Sequence, residues 1–118
     1  MANDVKHVVV AVRSAPLTTG RVHEALRMAL GLTLSNHRVT VAYIGEGAGA
    51  ALTLDGLVLQ RPGLADSLEL LDACRIREIV AIDAIPAPFR PALRDRVERV
   101  PDAALIECLA TADTVVPW

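Results

Sequence analysis

Residues 5–47, VKHVVVAVRSAPLTTGRVHEALRMALGLTLSNHRVTVAYIGEG, decide the fold of this chain. They begin with an apolar, β-branched run from Val5 to Val12, which contains no turn residue and is typical of a strand covered on both faces. A second run of this kind extends from Val39 to Ile44. Because parallel strands need a crossover of a dozen or more residues, this spacing predicts a parallel pair joined by a right-handed crossover.

The residues between these two strands have the pattern of an amphipathic helix. Apolar and weakly polar side chains recur at i, i+3, i+4, i+7, i+8 and i+11, which places them on one stripe: Val22, Ala25, Leu26, Ala29, Leu30 and Thr33. The polar or solvent side then holds Arg21, Glu24, Arg27 and Met28. The polar residues 35–37 end the helix, so the stripe is expected to pack against the sheet.

The rest of the chain adds alternating helices and strands to this unit. We predict a helix with Leu64, Leu68, Leu71 and Ala73 inward, and a last helix with Ala104, Leu105, Cys108 and Leu109 on one apolar face. The predicted elements are helix Leu64–Cys74, strand Ile76–Ile85, strand Val97–Val100, helix Ala103–Ala112 and strand Thr114–Trp118. The pattern predicts an α/β fold: a single domain over residues 1–118, built as a three-layer α/β/α sandwich around a mostly parallel five-stranded sheet.

The connections between these elements are rich in small residues and proline. Residues 45–52, GEGAGAAL, predict a tight turn into a short helix, and their glycine spacing matches neither the dinucleotide fingerprint nor the P-loop. Thr53 to Gly63 is predicted to be a loop whose apolar patch, Leu57 to Leu59, covers the sheet or a neighbouring subunit. The prolines of residues 86–91 predict an irregular turn.

Composition excludes several classes of partner. Twelve basic and 14 acidic residues give a net charge of −2 without a run of like charges, so neither nucleic acid nor a membrane surface is expected as a partner. No apolar stretch is long enough to span a membrane, and residues 1–10 do not resemble a signal peptide, so we expect a cytoplasmic protein. Because 53% of so small a chain is hydrophobic, we also expect buried subunit contacts.

A candidate ligand site follows from the ends of the predicted strands. Open parallel sheets bind ligands beyond the carboxyl ends of their strands. The polar residues delivered there are Arg13 and Ser14 after the first strand, Glu46 after the second and Asp83 within the third. An arginine–carboxylate pair at this edge would hold a small polar ligand or only join the loops. In the second case Asp83 is a buried carboxylate that caps a turn or pairs with an arginine.

The two cysteines give neither a disulfide framework nor a metal site. Cys74 and Cys108 are too far apart in sequence for a C-x-x-C motif, and the three histidines share no spacing, so we predict no metal and no cofactor. Cys74 ends a helix, where the macrodipole and Asp72 disfavour a thiolate, although Arg75 and Arg77 are close in sequence. Cys108 lies on an apolar helical face, where cysteine usually behaves as a small hydrophobic residue.

Five stretches of the sequence have a distinctive pattern of apolar residues and small turns: VVVAVRSAP, RVHEALRMALGL, HRVTVAYIGEGAGAAL, LELLDACRIREIVAID and ALIECLATADTVVPW. These stretches carry a resemblance to the DsrE/DsrF/DsrH (TusBCD) family of sulfur-relay proteins. It implies a parallel five-stranded sheet between helices, a cytoplasmic location, and assembly into homo-oligomers (dimers, trimers or hexamers) or hetero-oligomers with related subunits. In catalytic members of the family, a cysteine at or just past the end of the third strand accepts a persulfide sulfur and passes it on.

This chain departs from the family at that cysteine. The equivalent position is occupied by Asp83, Ala84 or Ile85, none of which carries sulfur. The chain therefore resembles the cysteine-poor members of the family. Its terminal residue, Trp118, is a feature in which it resembles the DsrH/TusB branch. We predict a non-catalytic, oligomer-forming protein linked to sulfur relay that binds a partner or small ligand. The alternatives are a sulfurtransferase that uses Cys74 and an unrelated small α/β ligand-binding protein.

Overall fold

A computed structural model describes residues 5–13, 21–35, 37–52 and 69–118. They contain one sheet of five strands, in which every neighbouring pair is parallel. The strands are β1 (His7–Val12), β2 (Arg38–Tyr43), β3 (Arg77–Ala81), β4 (Val97–Val100) and β5 (Thr114–Pro117). The helices are α1 (Arg21–Thr33) and α2 (Asp102–Thr111), and residues 69–73 are also helical. The predicted α/β sandwich is confirmed, with a wholly parallel sheet.

The order of the strands determines which face each connection covers. In space the strands lie in the order β4-β3-β2-β1-β5, so the chain moves in one direction from β1 to β4 and then returns across the sheet to β5. Right-handed crossovers in opposite directions lie on opposite faces. The described residues of the connections from β1 to β4 therefore pack on one face, which we call the α1 face, and α2 packs on the other, the α2 face.

The two faces carry cores of different size. The strands are apolar on both sides. On the α1 face, alternate strand residues such as Val10, Val41 and Val80 form one core with the helical residues Leu26 and Leu71. The core on the α2 face is smaller. Its buried residues are Val9, Ala42, Ile79, Ala81 and Leu105, and the partly buried residues packed against them are Ile44, Val100, Cys108, Leu109 and Ala112. Among the described residues, the α2 face thus carries the smaller of the two cores.

The helix faces follow the predicted stripes with two corrections. In α1, Ala25, Leu26 and Ala29 are buried, and Leu30 and Thr33 are half-buried, whereas Glu24, Arg27 and Met28 are exposed. Ala73 and Ala104 are exposed, so their predicted inward positions are wrong. Both lie at the edge of the apolar stripe of their helix, where a small rotation of the helix about its axis moves a side chain from the buried face to the solvent.

The third strand is shorter than the sequence pattern predicts. The apolar pattern predicts a strand that extends to Ile85, but β3 ends at Ala81 and Ile82–Ala84 forms a 3-10 turn. Ile85 is still buried, because its side chain packs on the α1 face. Its backbone N–H closes the turn by donating to the Ile82 carbonyl oxygen at 3.1 Å. The apolar run was therefore partly a buried turn. The proline-rich segment after it forms a second 3-10 helix, Ala87–Ala92.

The glycine-rich connection after β2 forms the predicted short helix as a 3-10 helix, Gly45–Ala51. Gly45 has a positive φ of 55°, and a Cβ on Gly47 would lie 2.0 Å from the carbonyl oxygen of Val12. Small residues are therefore required where the chain leaves the sheet next to β1. The apolar patch Leu57 to Leu59 and the predicted helix positions Leu64 and Leu68 lie outside the described residues.

Candidate functional site

The carboxyl edge of the sheet holds three of the four predicted site residues. Arg13 follows β1, Glu46 lies in the 3-10 helix after β2, and Asp83 lies in the turn after β3. These strands are neighbours, so the three residues share one edge, and all are exposed. Ser14 lies outside the described residues. Among the described residues, no hydrogen bond or ion pair joins Arg13 to Glu46.

The environment of Asp83 differs from the expected one. Its side chain is 75% exposed, so the interpretation of a buried carboxylate is wrong. An Asp83 carboxylate oxygen does lie 3.9 Å from the Arg90 Nη2, and Arg90 is positioned by donating from Nε to the carbonyl oxygen of Ile85 at 3.0 Å. An ion pair this long and exposed contributes little to stability. Asp83 is therefore accessible to a ligand or a partner protein.

A buried polar cluster, which the sequence analysis missed, lies beneath this edge. The cluster consists of Tyr43, Glu78 and Arg94. The Tyr43 hydroxyl donates to Glu78 Oε1 at 2.5 Å, and Arg94 Nη2 donates to the same oxygen at 2.8 Å and to the carbonyl oxygen of Ala50 at 2.8 Å. Burial, together with the charge of Glu78, raises the pKa of Tyr43 far above its ordinary value. This phenol is therefore a neutral donor, and the cluster is a structural link.

The missed cluster had one local signal. Glu78 is a charged residue in the second position of β3, and its side chain is 1% exposed. A carboxylate inside a strand of a parallel sheet needs a buried partner. Arg94 supplies it from beyond the proline-rich turn; burial lowers the pKa of Arg94, but the contacts with Tyr43 and Glu78 raise it above the ordinary value overall.

The opposite edge of the sheet contains a cleft of about 560 Å³. One wall is formed by α2 residues at i, i+3, i+4 and i+7, and the floor by the first residues of the central strands. The polar and ionisable residues that line it are His7, Arg38, Thr40, Arg75, Arg77, Glu107, Cys108 and Thr111. We call it the amino-edge cleft. Three arginines and one carboxylate give its lining a net positive charge.

Hydrogen bonds hold two side chains of the amino-edge cleft in place. His7 Nε2 lies 2.8 Å from Thr40 Oγ1, and Arg77 makes two hydrogen bonds to Glu98, at 2.6 and 3.1 Å. Burial, followed by the charge of Arg38, lowers the pKa of His7. The hydrogen bond to Glu98 raises the pKa of Arg77. His7 is therefore neutral at pH 7 beside permanent positive charge.

Both cysteines lie away from the carboxyl edge. Cys74 follows the helical residues 69–73, is exposed, and precedes β3 at the amino edge of the sheet. Cys108 is half-buried in α2 and lines the amino-edge cleft. No group of three or more metal-ligating residues occurs within the described ranges, nor does any helix there have the length and apolarity needed to cross a membrane.

Comparison with known proteins identifies the fold. No protein-family model matches the sequence, and no curated protein is similar to it. The crystal structure of the ychN protein from E. coli superimposes with a TM-score of 0.76, over 97% of this chain and 100% of that one, at 21% identity. The fold is DsrE-like. At this identity the similarity extends to the fold alone, so the function must be argued from the residues of this chain.

Proposed function

We propose that this chain is a non-catalytic, oligomer-forming DsrE-like subunit that acts in cytoplasmic sulfur relay or sulfur metabolism. The observation that carries the proposal is the lack of a thiol at the carboxyl edge, where the resemblance implies that catalytic members hold their cysteine. The third strand ends at Ala81, and the turn after it is Ile82, Asp83 and Ala84. The exposed Arg13, Glu46 and Asp83 at this edge are suited to contact a polar ligand or a related subunit.

The alternative function, sulfur transfer through Cys74, has a less favourable geometry. Cys74 lies at the carboxyl end of the helical residues 69–73, where the helix dipole disfavours an anion. Its neighbour Asp72 adds negative charge, which is partly balanced by an ion pair with Arg96. A sulfur carrier needs a stabilised thiolate. The surroundings of Cys74 supply little of that stabilisation.

Exposure to a persulfide donor separates the two functions. We expect no stable mass gain of about 32 Da per chain, because transfer requires a thiolate that attacks the donor sulfur. Intact-mass spectrometry measures the adduct, and slow alkylation of Cys74 by iodoacetamide at neutral pH is the second readout. Cys74→Ser is the matched control. An adduct that disappears in Cys74→Ser would establish the sulfurtransferase instead.

Oligomer formation is supported by the α2 face, on which α2 is the one helix that the described residues place. Five strands spaced about 4.8 Å apart make a face about 20 Å wide, whereas one helix is about 10 Å across. Ile106 on α2 is 63% exposed and Val115 on β5 is 39% exposed. Contiguous apolar surface of sufficient area normally marks an interface, and these two side chains would contribute to one on this face. A second copy or a related subunit on this face would bury both residues.

Light scattering at micromolar concentration is expected to give a mass well above the 12.6 kDa of one chain. Ile106→Lys should lower that mass, because a charge on an apolar interface is costly to bury. Met28→Lys, which changes an exposed residue of α1 on the other side of the sheet, is the control and should leave the mass unchanged. A mass near that of one chain for the unmodified protein would contradict the oligomer.

A further inference from the structure

We propose that the amino-edge cleft binds a small tetrahedral oxyanion, sulfate or phosphate, free or carried by a larger compound, through Arg38, Arg75 and Arg77. The site lies at the opposite edge of the sheet from the one assigned to a partner or ligand above. It therefore goes beyond the proposed function and does not depend on it.

The arginines of the cleft have donors available for a ligand. Arg77 uses Nε and one Nη2 hydrogen to hold Glu98, which fixes the guanidinium and leaves the Nη1 hydrogens unused by that pair. Arg38 and Arg75 form no side-chain hydrogen bond or ion pair within the described part of the chain. A guanidinium group binds oxyanions through paired N–H donors. Arg38 and Arg75 carry two positive charges that no ion pair within the described residues offsets, so the cleft matches a dianion better than a monoanion.

The backbone of Arg75 provides a way to test the site without harming the fold. Arg75 has a φ of 59°, the left-handed conformation that glycine adopts most easily. The Arg75 N–H donates to the carbonyl oxygen of Asp72, and the Ile76 N–H donates to that of Leu71, both at 2.9 Å. These two bonds form a Schellman motif, in which glycine is the usual residue at this position. Arg75→Gly therefore removes the guanidinium and suits the backbone.

A competing interpretation is that the arginines only balance negative charge in the protein. Glu107 lines the cleft, and α2 and the helical residues 69–73 both end at this edge with partial negative charge. Each helix end contributes about half a charge. Glu98 also offsets the charge of Arg77, so these contributions together nearly balance the three arginines. We favour a ligand because Arg38 and Arg75 form no ion pair within the described part of the chain. The two interpretations differ in one measurable respect, saturable binding that depends on the arginines.

Titration with sulfate, followed by NMR chemical shifts at constant ionic strength with chloride as the balancing ion, tests the site. We expect saturable binding that weakens about tenfold in Arg38→Gln and in Arg75→Gly, since each removes a charge-assisted hydrogen bond. Arg27→Gln, an exposed arginine on α1, is the control and should bind as the unmodified protein does. Inorganic phosphate titrated in parallel identifies the preferred oxyanion. Absence of saturable binding of both ions, or equal binding by all variants, would overturn the proposal.

The two cysteines locate the bound ion. Cys108 lines the cleft, whereas Cys74 does not. Saturating sulfate should therefore slow the alkylation of Cys108 by iodoacetamide and leave that of Cys74 unchanged, measured by peptide mass spectrometry in one sample. An unchanged ratio of the two rates would place the sulfate elsewhere and contradict the proposal.

Binding should also depend on pH through His7. Sulfate is a dianion at both about pH 5.5 and about pH 7.5, and ordinary carboxylates and thiols titrate outside this interval. Protonation of His7 adds a positive charge beside the ion, so sulfate should bind more tightly at the lower pH and raise the pKa of His7. The charged and titratable groups around His7 are Arg38, Arg75, Arg77, Glu107, Cys108 and Asp113. His7→Gln should abolish this pH dependence; if it persists in that variant, His7 is not part of the site.

Discussion

Arg94→Met is expected to lower the free energy of unfolding by about 3–5 kcal/mol, because it leaves a buried carboxylate without its cation. The Glu78 side chain is 1% exposed and that of Arg94 is 16% exposed, so water compensates for little of the loss. The Tyr43 hydroxyl remains as a donor to Glu78, but it is neutral. The variant also removes the hydrogen bond from Arg94 to Ala50, which links the proline-rich turn to the 3-10 helix after β2. Denaturant titration measures the change.

An exposed ion pair of the same type provides the control. Arg77 and Glu98 are joined by two hydrogen bonds, but their side chains are 50% and 49% exposed. Arg77→Met should therefore lower the free energy of unfolding by less than about 1 kcal/mol. Adding Glu78→Gln to Arg94→Met should restore part of the lost stability, since the amide carries no charge. Equal losses in Arg94→Met and Arg77→Met, or a double variant less stable than Arg94→Met, would contradict the role of the buried pair.

The parts of the fold that were predictable depend on local periodicity. The alternation of β-branched runs with a stripe of period 3.6 determined α1, the neighbouring parallel strands and the β4 range. The end of β3 was not predictable in this way. Val80 packs into the core from the strand, and Ile82 and Ile85 pack into the same core from the turn that follows it. An apolar run indicates that residues are buried. Because both strands and the turns packed beneath them are buried, such a run does not show where a strand ends.

The candidate sites show the same limit at longer range. Arg13, Glu46 and Asp83 were assigned to one edge because the carboxyl ends of parallel strands meet there, which needs no knowledge of their contacts. The buried pair of Glu78 and Arg94 depends on residues 16 positions apart that the proline-rich turn brings together.

The amino-edge cleft was missed for a related reason. It depends on the return of α2 across the sheet, which follows from the strand order and not from any single segment. Arg38 is far in sequence from Arg75 and Arg77, and in the sequence Arg75 and Arg77 are noticeable only as neighbours of Cys74. A contact between distant segments leaves no periodic pattern, so these parts required the structure.

Leu26→Ala is expected to cost about 2–5 kcal/mol of stability, because it empties space in the core between α1 and the sheet. Leu26 has no exposed surface, and Ala25 and Ala29 beside it are too small to fill the cavity. Leu30→Ala should cost less than Leu26→Ala, since Leu30 is only half-buried.

The exposed neighbour of Leu26 serves as the control for the orientation of α1. Arg27→Ala should change stability by less than about 0.5 kcal/mol, because Arg27 faces solvent and forms no ion pair with the residues that the structure describes. Urea titration of the three variants orders them by burial, with Leu26→Ala the least stable. Similar losses for Leu26→Ala and Arg27→Ala would show that α1 does not pack through its apolar stripe, because a helix buries one side of each turn and leaves the other in water.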